Sequence, residues 1–161
     1  MADSFTVGEI REVIVKQLPK FRDSRGWLTE IFRVDEWPAE FHPAMSYISS
    51  TLPGITRGPH EHVDQADLFC FLGPSTFKLR MWDNRSDSST YGNVQTIYVG
   101  DNNPAVVLIP KGVVHAYQNV GEIDGIVINC PNRLYMGVGK REKIDEIRHE
   151  DDPDTKFEML D

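Results

Sequence analysis

Gly54-Ile55-Thr56-Arg57-Gly58-Pro59-His60-Glu61-His62, followed by Gln65 and Asp67, is the densest polar constellation in this chain. A second one is Pro110-Lys111-Gly112-Val113-Val114-His115-Ala116-Tyr117-Gln118-Asn119. His60 and His62 are two residues apart, so on a strand both imidazoles project from one face. Asp67 opens the apolar run Leu68 to Leu72, which reads as a core strand. Arg57 and His60 have opposite parity and would face opposite sides of a regular strand. Gly58-Pro59 between them permits a bulge that turns Arg57 to the same side.

Outward from these stretches the chain reads as short strands punctuated by turns. The runs are 12–18, 45–51, 67–72, 76–82, 94–99, 105–109, 113–118 and 125–130. The segment 76–82 alternates cleanly, with Phe77, Leu79 and Met81 on one face and Lys78 and Arg80 on the other. Leu-Pro-Gly at 52–54, Gly-Pro at 73–74 and Asp-Asn-Asn-Pro at 101–104 are turn chemistries. Such spacing predicts an all-β sandwich or barrel. A helix is expected only over 141–148, with one turn near 35–40. No linker or repeat divides residues 1–161, which predicts a single domain.

Composition narrows the function classes. The 161 residues include 17 Lys+Arg against 25 Asp+Glu, a net charge of −8 with no basic cluster. Nucleic-acid binders usually carry a basic face, so nucleic acid is not expected as a partner. Residues 140–161 hold nine acids and five bases and read as a solvated acidic tail. No apolar run approaches the ~18 residues of a membrane span, and 1–4 carry no secretory pattern. Two cysteines, Cys70 and Cys130, read as buried thiols of a reducing compartment, which predicts a cytoplasmic protein.

The two constellations together resemble the paired motifs of cupins. Gly54, His60, His62 and Gly73 take the places of the first motif, with Asp67 where Glu is usual. Pro110, Gly112, His115 and Asn119 take those of the second. The resemblance implies a double-sheet antiparallel jelly roll. Within that superfamily, Asp23-Ser24-Arg25-Gly26 through Glu30-Ile31-Phe32, Arg57-Gly58-Pro59-His60, Asp83-Asn84-Arg85 and Ser89-Thr90-Tyr91-Gly92 resemble segments of the dTDP-4-dehydrorhamnose 3,5-epimerases.

This resemblance implies an isomerase that inverts carbons beside the keto group of a nucleotide-linked 4-keto-6-deoxy sugar, without metal or cofactor. By matched position His60 is the base; Arg25, Glu30, Arg57 and His115 fall on substrate-binding positions. A planar guanidinium suits a diphosphate. The family's proton-returning Tyr aligns without gaps on Ile128, so Tyr135, reached with a gap, is the nearest candidate. Tyr47, on the strand before the histidines, is a second candidate donor or sugar platform. Asp67 replaces a family Lys, and the family's C-terminal Asp partner to the His has no match. A homodimer is implied, with Phe5–Leu18 as a segment that could exchange between subunits.

Two other readings stand beside this one. His60, His62, Asp67 and His115 form a donor set of three imidazoles and one carboxylate, suited to a divalent transition metal and a small polar substrate. Alternatively, the chain is a sugar- or nucleotide-binding cupin without catalysis. Tyr117 shares the face of His115 and fits core packing and pocket lining equally. Asp83 and Arg85 are expected to fix a turn, and Trp27, Trp37 and Trp82 to pack in a core or a dimer.

Overall fold

Apolar residues at alternate positions build the core that positions everything else. A computed structural model of the chain describes residues 5–160, so Met1–Ser4, read above for the lack of a secretory pattern, lie outside the described residues. Thirteen strands follow in chain order: β1 (Thr6–Val7), β2 (Ile14–Gln17), β3 (Phe21–Asp23), β4 (Gly26–Leu28), β5 (Tyr47–Thr51), β6 (Thr56–Glu61), β7 (Asp67–Phe71), β8 (Thr76–Asp83), β9 (Asn93–Gly100), β10 (Ala105–Ile109), β11 (Val113–Asn119), β12 (Gly125–Asn129) and β13 (Ile147–Arg148). They form a six-stranded sheet in the order β1-β9-β8-β11-β6-β13 and a five-stranded sheet in the order β2-β10-β7-β12-β5. A separate hairpin pairs β3 with β4. Apart from the parallel β1–β9 pair, the ladders are antiparallel. The fold is the double-sheet antiparallel jelly roll.

Three apolar layers explain the strand sequences. Between the sheets lie Phe69, Phe71, Phe77, Leu79, Met81, Val107, Ile109 and Tyr117. Behind the five-stranded sheet, Leu68, Cys70, Val106 and Leu108 pack against Leu18, Trp37 and Cys130. Strands β7 and β10 are therefore buried on both faces, which is why they read as continuous apolar runs rather than alternating ones. Both cysteines are free and buried. Behind the six-stranded sheet, Trp82, Val94, Val114 and Ala116 meet Phe157 of the C-terminal segment.

That last layer corrects two expectations. No helix forms over 141–148; the segment instead has 3-10 turns at Val138–Lys140 and His149–Asp151, and β13 pairs with the edge of β6. Residues 140–160 are also not a solvated tail. Ile147 and Arg148 extend the sheet, the Asp145 carboxylate turns inward onto the backbone of 63–65, and Phe157 fills the groove beside Trp82. The turn expected near 35–40 is a 3-10 turn at Ala39–Phe41.

Candidate active site

Strand β6 carries the first constellation. His60 and His62 face the interior of the roll, while Glu61 points outward and accepts hydrogen bonds from Asn84 Nδ2 and His149 Nε2, both at 2.9 Å. Pairing with β11 matches His60 to His115 and Arg57 to Tyr117, so β6 uses three steps where β11 uses two. This is the bulge anticipated at Gly58-Pro59. Gly58 sits at φ +87°, and a Cβ there would lie 2.6 Å from the His115 carbonyl oxygen. Only glycine fits that approach. The bulge delivers Arg57 to the cavity mouth, where its Nε donates to Thr51 Oγ1 (2.9 Å) and its Nη2 to the Ser50 carbonyl (2.8 Å).

Beneath His60 lies a buried knot of ionisable groups. One donor atom each from His60, His62, Asp67 and His115 lies within 4.8 Å of the others. The Asp67 residue is 1% exposed and His115 likewise 1%. Asp67 Oδ2 faces His62 Nε2 at 3.1 Å and His115 Nε2 at 3.2 Å. Its Oδ1 accepts from Gln65 Nε2 (3.0 Å) and Asn129 Nδ2 (2.8 Å). Burial opposes the Asp67 charge, but the two imidazoles outweigh it and hold the carboxyl well below its usual range. Burial likewise opposes a charged His62; contact with Asp67 and with the Asp145 backbone prevails and pushes it up to about 9. His60 goes the other way. Burial, then the neighbouring His115, depress it to about 2, so the ring stays an uncharged proton acceptor across the neutral range.

Above the knot opens a cavity of about 1580 Å³. His60, His62 and Gln65 form its base, with Tyr47, Ser49, Arg57, Tyr117 and Tyr135 around it. Tyr47 OH accepts from Asn129 Nδ2 (3.0 Å), and burial pushes its pKa up to about 12, keeping the phenol protonated. Tyr117 serves both expected roles: it is buried in the inter-sheet core and turns its OH toward Ser49 Oγ at 3.3 Å. Tyr135 lies in the turn after β12, half exposed to the cavity.

Arg25 and Glu30 are not brought to this cavity within the chain. Arg25, at the tip of the β3–β4 hairpin, has a side chain 88% exposed and an ion pair with Asp23 at 2.6 Å. Glu30 pairs with Arg33 at 3.4 Å on the surface. Asp83 and Arg85 do fix the turn after β8, joined by Nε–Oδ1 at 2.8 Å.

Sequence reading missed the supports from the C-terminal segment and β12. Asp145 binds the backbone N–H groups of Val63 (2.9 Å), Asp64 (2.9 Å) and Gln65 (2.7 Å), while its own carbonyl accepts from His62 Nδ1. Glu146 Oε1 lies 3.8 Å from His60 Nδ1. Both residues fell in the expected helix, which hid them. Asn129 carried a readable signal: it alternates with inward-facing Val127 at the end of β12.

One cavity thus brings together an uncharged imidazole, several tyrosine hydroxyls and the Arg57 guanidinium at its mouth. The family model of dTDP-4-dehydrorhamnose 3,5-epimerase matches residues 8–155, and the chain belongs to that family. It is 38% identical over 128 residues to the probable low-salt glycan biosynthesis epimerase Agl13 of Haloferax volcanii, spanning 78% of this chain and 81% of the relative. It is 39% identical over 123 residues to the spore coat polysaccharide biosynthesis protein SpsL of Bacillus subtilis, spanning 76% and 80%. Among solved structures, a dTDP sugar isomerase from Desulfovibrio desulfuricans superposes with a TM-score of 0.76 at 19% identity, covering 86% of this chain and 84% of that one. An epimerase from Legionella pneumophila, solved with dTDP-4-keto-L-rhamnose, superposes at 0.73 with 18% identity, covering 89% and 76%. At such identities the superpositions establish the fold.

Proposed function

We propose that this protein epimerises a nucleotide-diphosphate 4-keto-6-deoxy sugar by removing and returning a proton beside the keto group. The observation that carries the reading is His60, an imidazole held uncharged by burial on the wall of a cavity ringed by tyrosine hydroxyls. The cavity, larger than the ~300–1,000 Å³ of ordinary small-molecule pockets, has room for a nucleotide sugar. The keto group acidifies the adjoining C–H, and His60 takes that proton. A phenol across the cavity returns one to the opposite face. Tyr47 and Tyr135 are the candidates, and Tyr47 is the better prepared because Asn129 orients its oxygen. Arg57 binds the diphosphate at the mouth, where Arg133, Lys140 and Lys143 add positive charge.

Replacing His60 with Asn tests this. Solvent deuterium uptake into the sugar is expected to fall by ~10²–10⁴-fold, the usual contribution of a general base, with nucleotide binding retained. Uptake equal to wild type would sink His60 as the base. A homodimer goes with the reading. The hairpin bearing Arg25 leaves Phe21, Trp27 and Leu28 exposed, and a second copy would cover them and engage Arg25. No helix of the described residues is long and apolar enough to cross a membrane, and the free buried thiols suit the cytoplasm.

A further inference from the structure

Asn129 joins the phenol side of the cavity to the knot beneath it, and its hydrogen bonds fix where one proton points. The residue is 1% exposed, at the end of β12. Its Oδ1 faces the Leu68 backbone N–H at 3.1 Å. An N–H only donates, so the atom facing it is the oxygen and the amide has one orientation. Both hydrogens of Nδ2 are then assigned, one to Asp67 Oδ1 at 2.8 Å and one to the Tyr47 hydroxyl oxygen at 3.0 Å. The Tyr47 oxygen is an acceptor in that bond. Its own hydrogen therefore points away from Asn129, into the cavity that Tyr47 lines.

The rest of the network holds Asn129 in this role. Asp67 is fixed by Gln65 on Oδ1 and faces His62 and His115 on Oδ2, and its contact with His62 keeps that ring charged. Asn129 and Tyr47 are direct partners in the β12–β5 ladder. Ile128, where the resemblance places the family's tyrosine, packs behind the five-stranded sheet, away from the cavity. Tyr47 and His60 stand on strands of the two facing sheets, so a sugar between them is met on both faces. Tyr135 lacks such support: among the described residues only its backbone N–H is bonded, to Met45 Sδ at 3.2 Å.

We propose that Tyr47 is the proton donor of the epimerisation and that Asn129 is its positioning residue. The assignment rests on the epimerase reading. In this step the electron pair of the enolate forms a C–H bond with the Tyr47 hydrogen, the O–H bond breaks and the keto group is restored. The phenolate left behind keeps the Asn129 N–H, and a hydrogen bond to a charged oxygen is roughly twice as strong as a neutral one. His60, protonated in the preceding step, and Tyr47 are both reset by solvent through the cavity mouth.

The test separates proton removal from proton return. A dTDP-linked 4-keto-6-deoxy sugar is incubated with the full-length protein in D₂O, and NMR follows deuterium in the starting epimer and formation of the inverted one. Tyr47→Phe is expected to lower the ratio of inversion to exchange by ~10²–10⁴-fold, because His60 still removes a proton and returns a deuteron to the same face. Asn129→Asp keeps an oxygen for Leu68 but offers at most one hydrogen where Asn offers two. It is expected to lower the ratio by at least ~10-fold. His60→Asn loses both signals. Circular dichroism checks folding; should Asn129→Asp fail to fold, Asn129→Ser decides. An unchanged ratio in Tyr47→Phe would overturn the donor. Exchange and inversion falling together in the Asn129 variant would overturn the positioning role, since a structural part lowers both alike. Wild type without exchange would sink the epimerase reading itself, whereas exchange and inversion in wild type with ratios unchanged in the variants would sink this assignment alone.

Discussion

Asp83 illustrates how single residues hold the roll together away from the site. Its buried carboxylate accepts Arg85 Nε (2.8 Å) and Arg85 N (3.2 Å) on one oxygen, and Ser88 Oγ and Thr90 Oγ1 (both 2.6 Å) on the other. Burial alone would raise its pKa, but Arg85, Ser88 and Thr90 outweigh it and lower it to about 2. The folded value lies below the unfolded one, so the stabilisation is complete above the unfolded pKa near 4. It is lost as the pH falls through about 2. Asp83→Asn is expected to cost on the order of 1–3 kcal/mol at pH 7, typical for hydrogen bonds to a charged group. The gap to wild type should narrow as urea titrations move from pH 5 toward pH 2. A gap that stays constant with pH would mean the charge contributes nothing.

At the scale of elements, β6 decides the site. A regular strand would leave Arg57 on the surface; the bulge at Gly58-Pro59 brings it to the mouth while His60 and His62 keep the inner face. Gly58→Ala places a methyl 2.6 Å from the His115 carbonyl at a left-handed backbone position. A loss of at least ~2 kcal/mol is expected, seen as a lower urea midpoint at unchanged slope, with weaker nucleotide binding. An alanine variant as stable as wild type would show that the bulge tolerates a side chain. The partner strand of β6 at the sheet edge, β13, belongs to the segment that also brings Asp145 to His62 and Glu146 near His60. One two-residue pairing thus anchors both supports.

Across the whole molecule, two faces of the roll are sealed by different means. The C-terminal segment closes the six-stranded sheet with Phe157, and the N-terminal half closes the five-stranded sheet with Leu18 and Trp37. The β3–β4 hairpin has no such cover, with Phe21 57%, Trp27 47% and Leu28 63% exposed. Three neighbouring apolar side chains on so short a hairpin fit a protein contact. Light scattering is expected to give twice the 18.4 kDa chain mass, with Trp27→Ser shifting the protein toward monomer. A monomeric wild type at micromolar concentration would rule out this use of the hairpin.

The sequence by itself determined eight of the eleven strands of the two sheets, the inner-facing histidine pair and the bulge. Those follow from period-two alternation and from glycine, which are local properties of consecutive residues. His115 and Asp67 were legible as well, because each sits at a fixed place in a recurring motif. Only the tertiary structure decided what surrounds them. Asp145 and Glu146 reach the histidines, and Asn129 reaches Asp67, from 62 to 86 positions along the chain, through contacts that no local pattern encodes. The helix expected over 141–148 failed for the same reason: its residues favour a helix locally, but the open edge of β6 offers Ile147 and Arg148 backbone partners, and Trp82 offers Phe157 a groove. Arg25 shows the reverse case, a motif residue whose position in the sequence suggested the cavity and whose place in the fold is the surface.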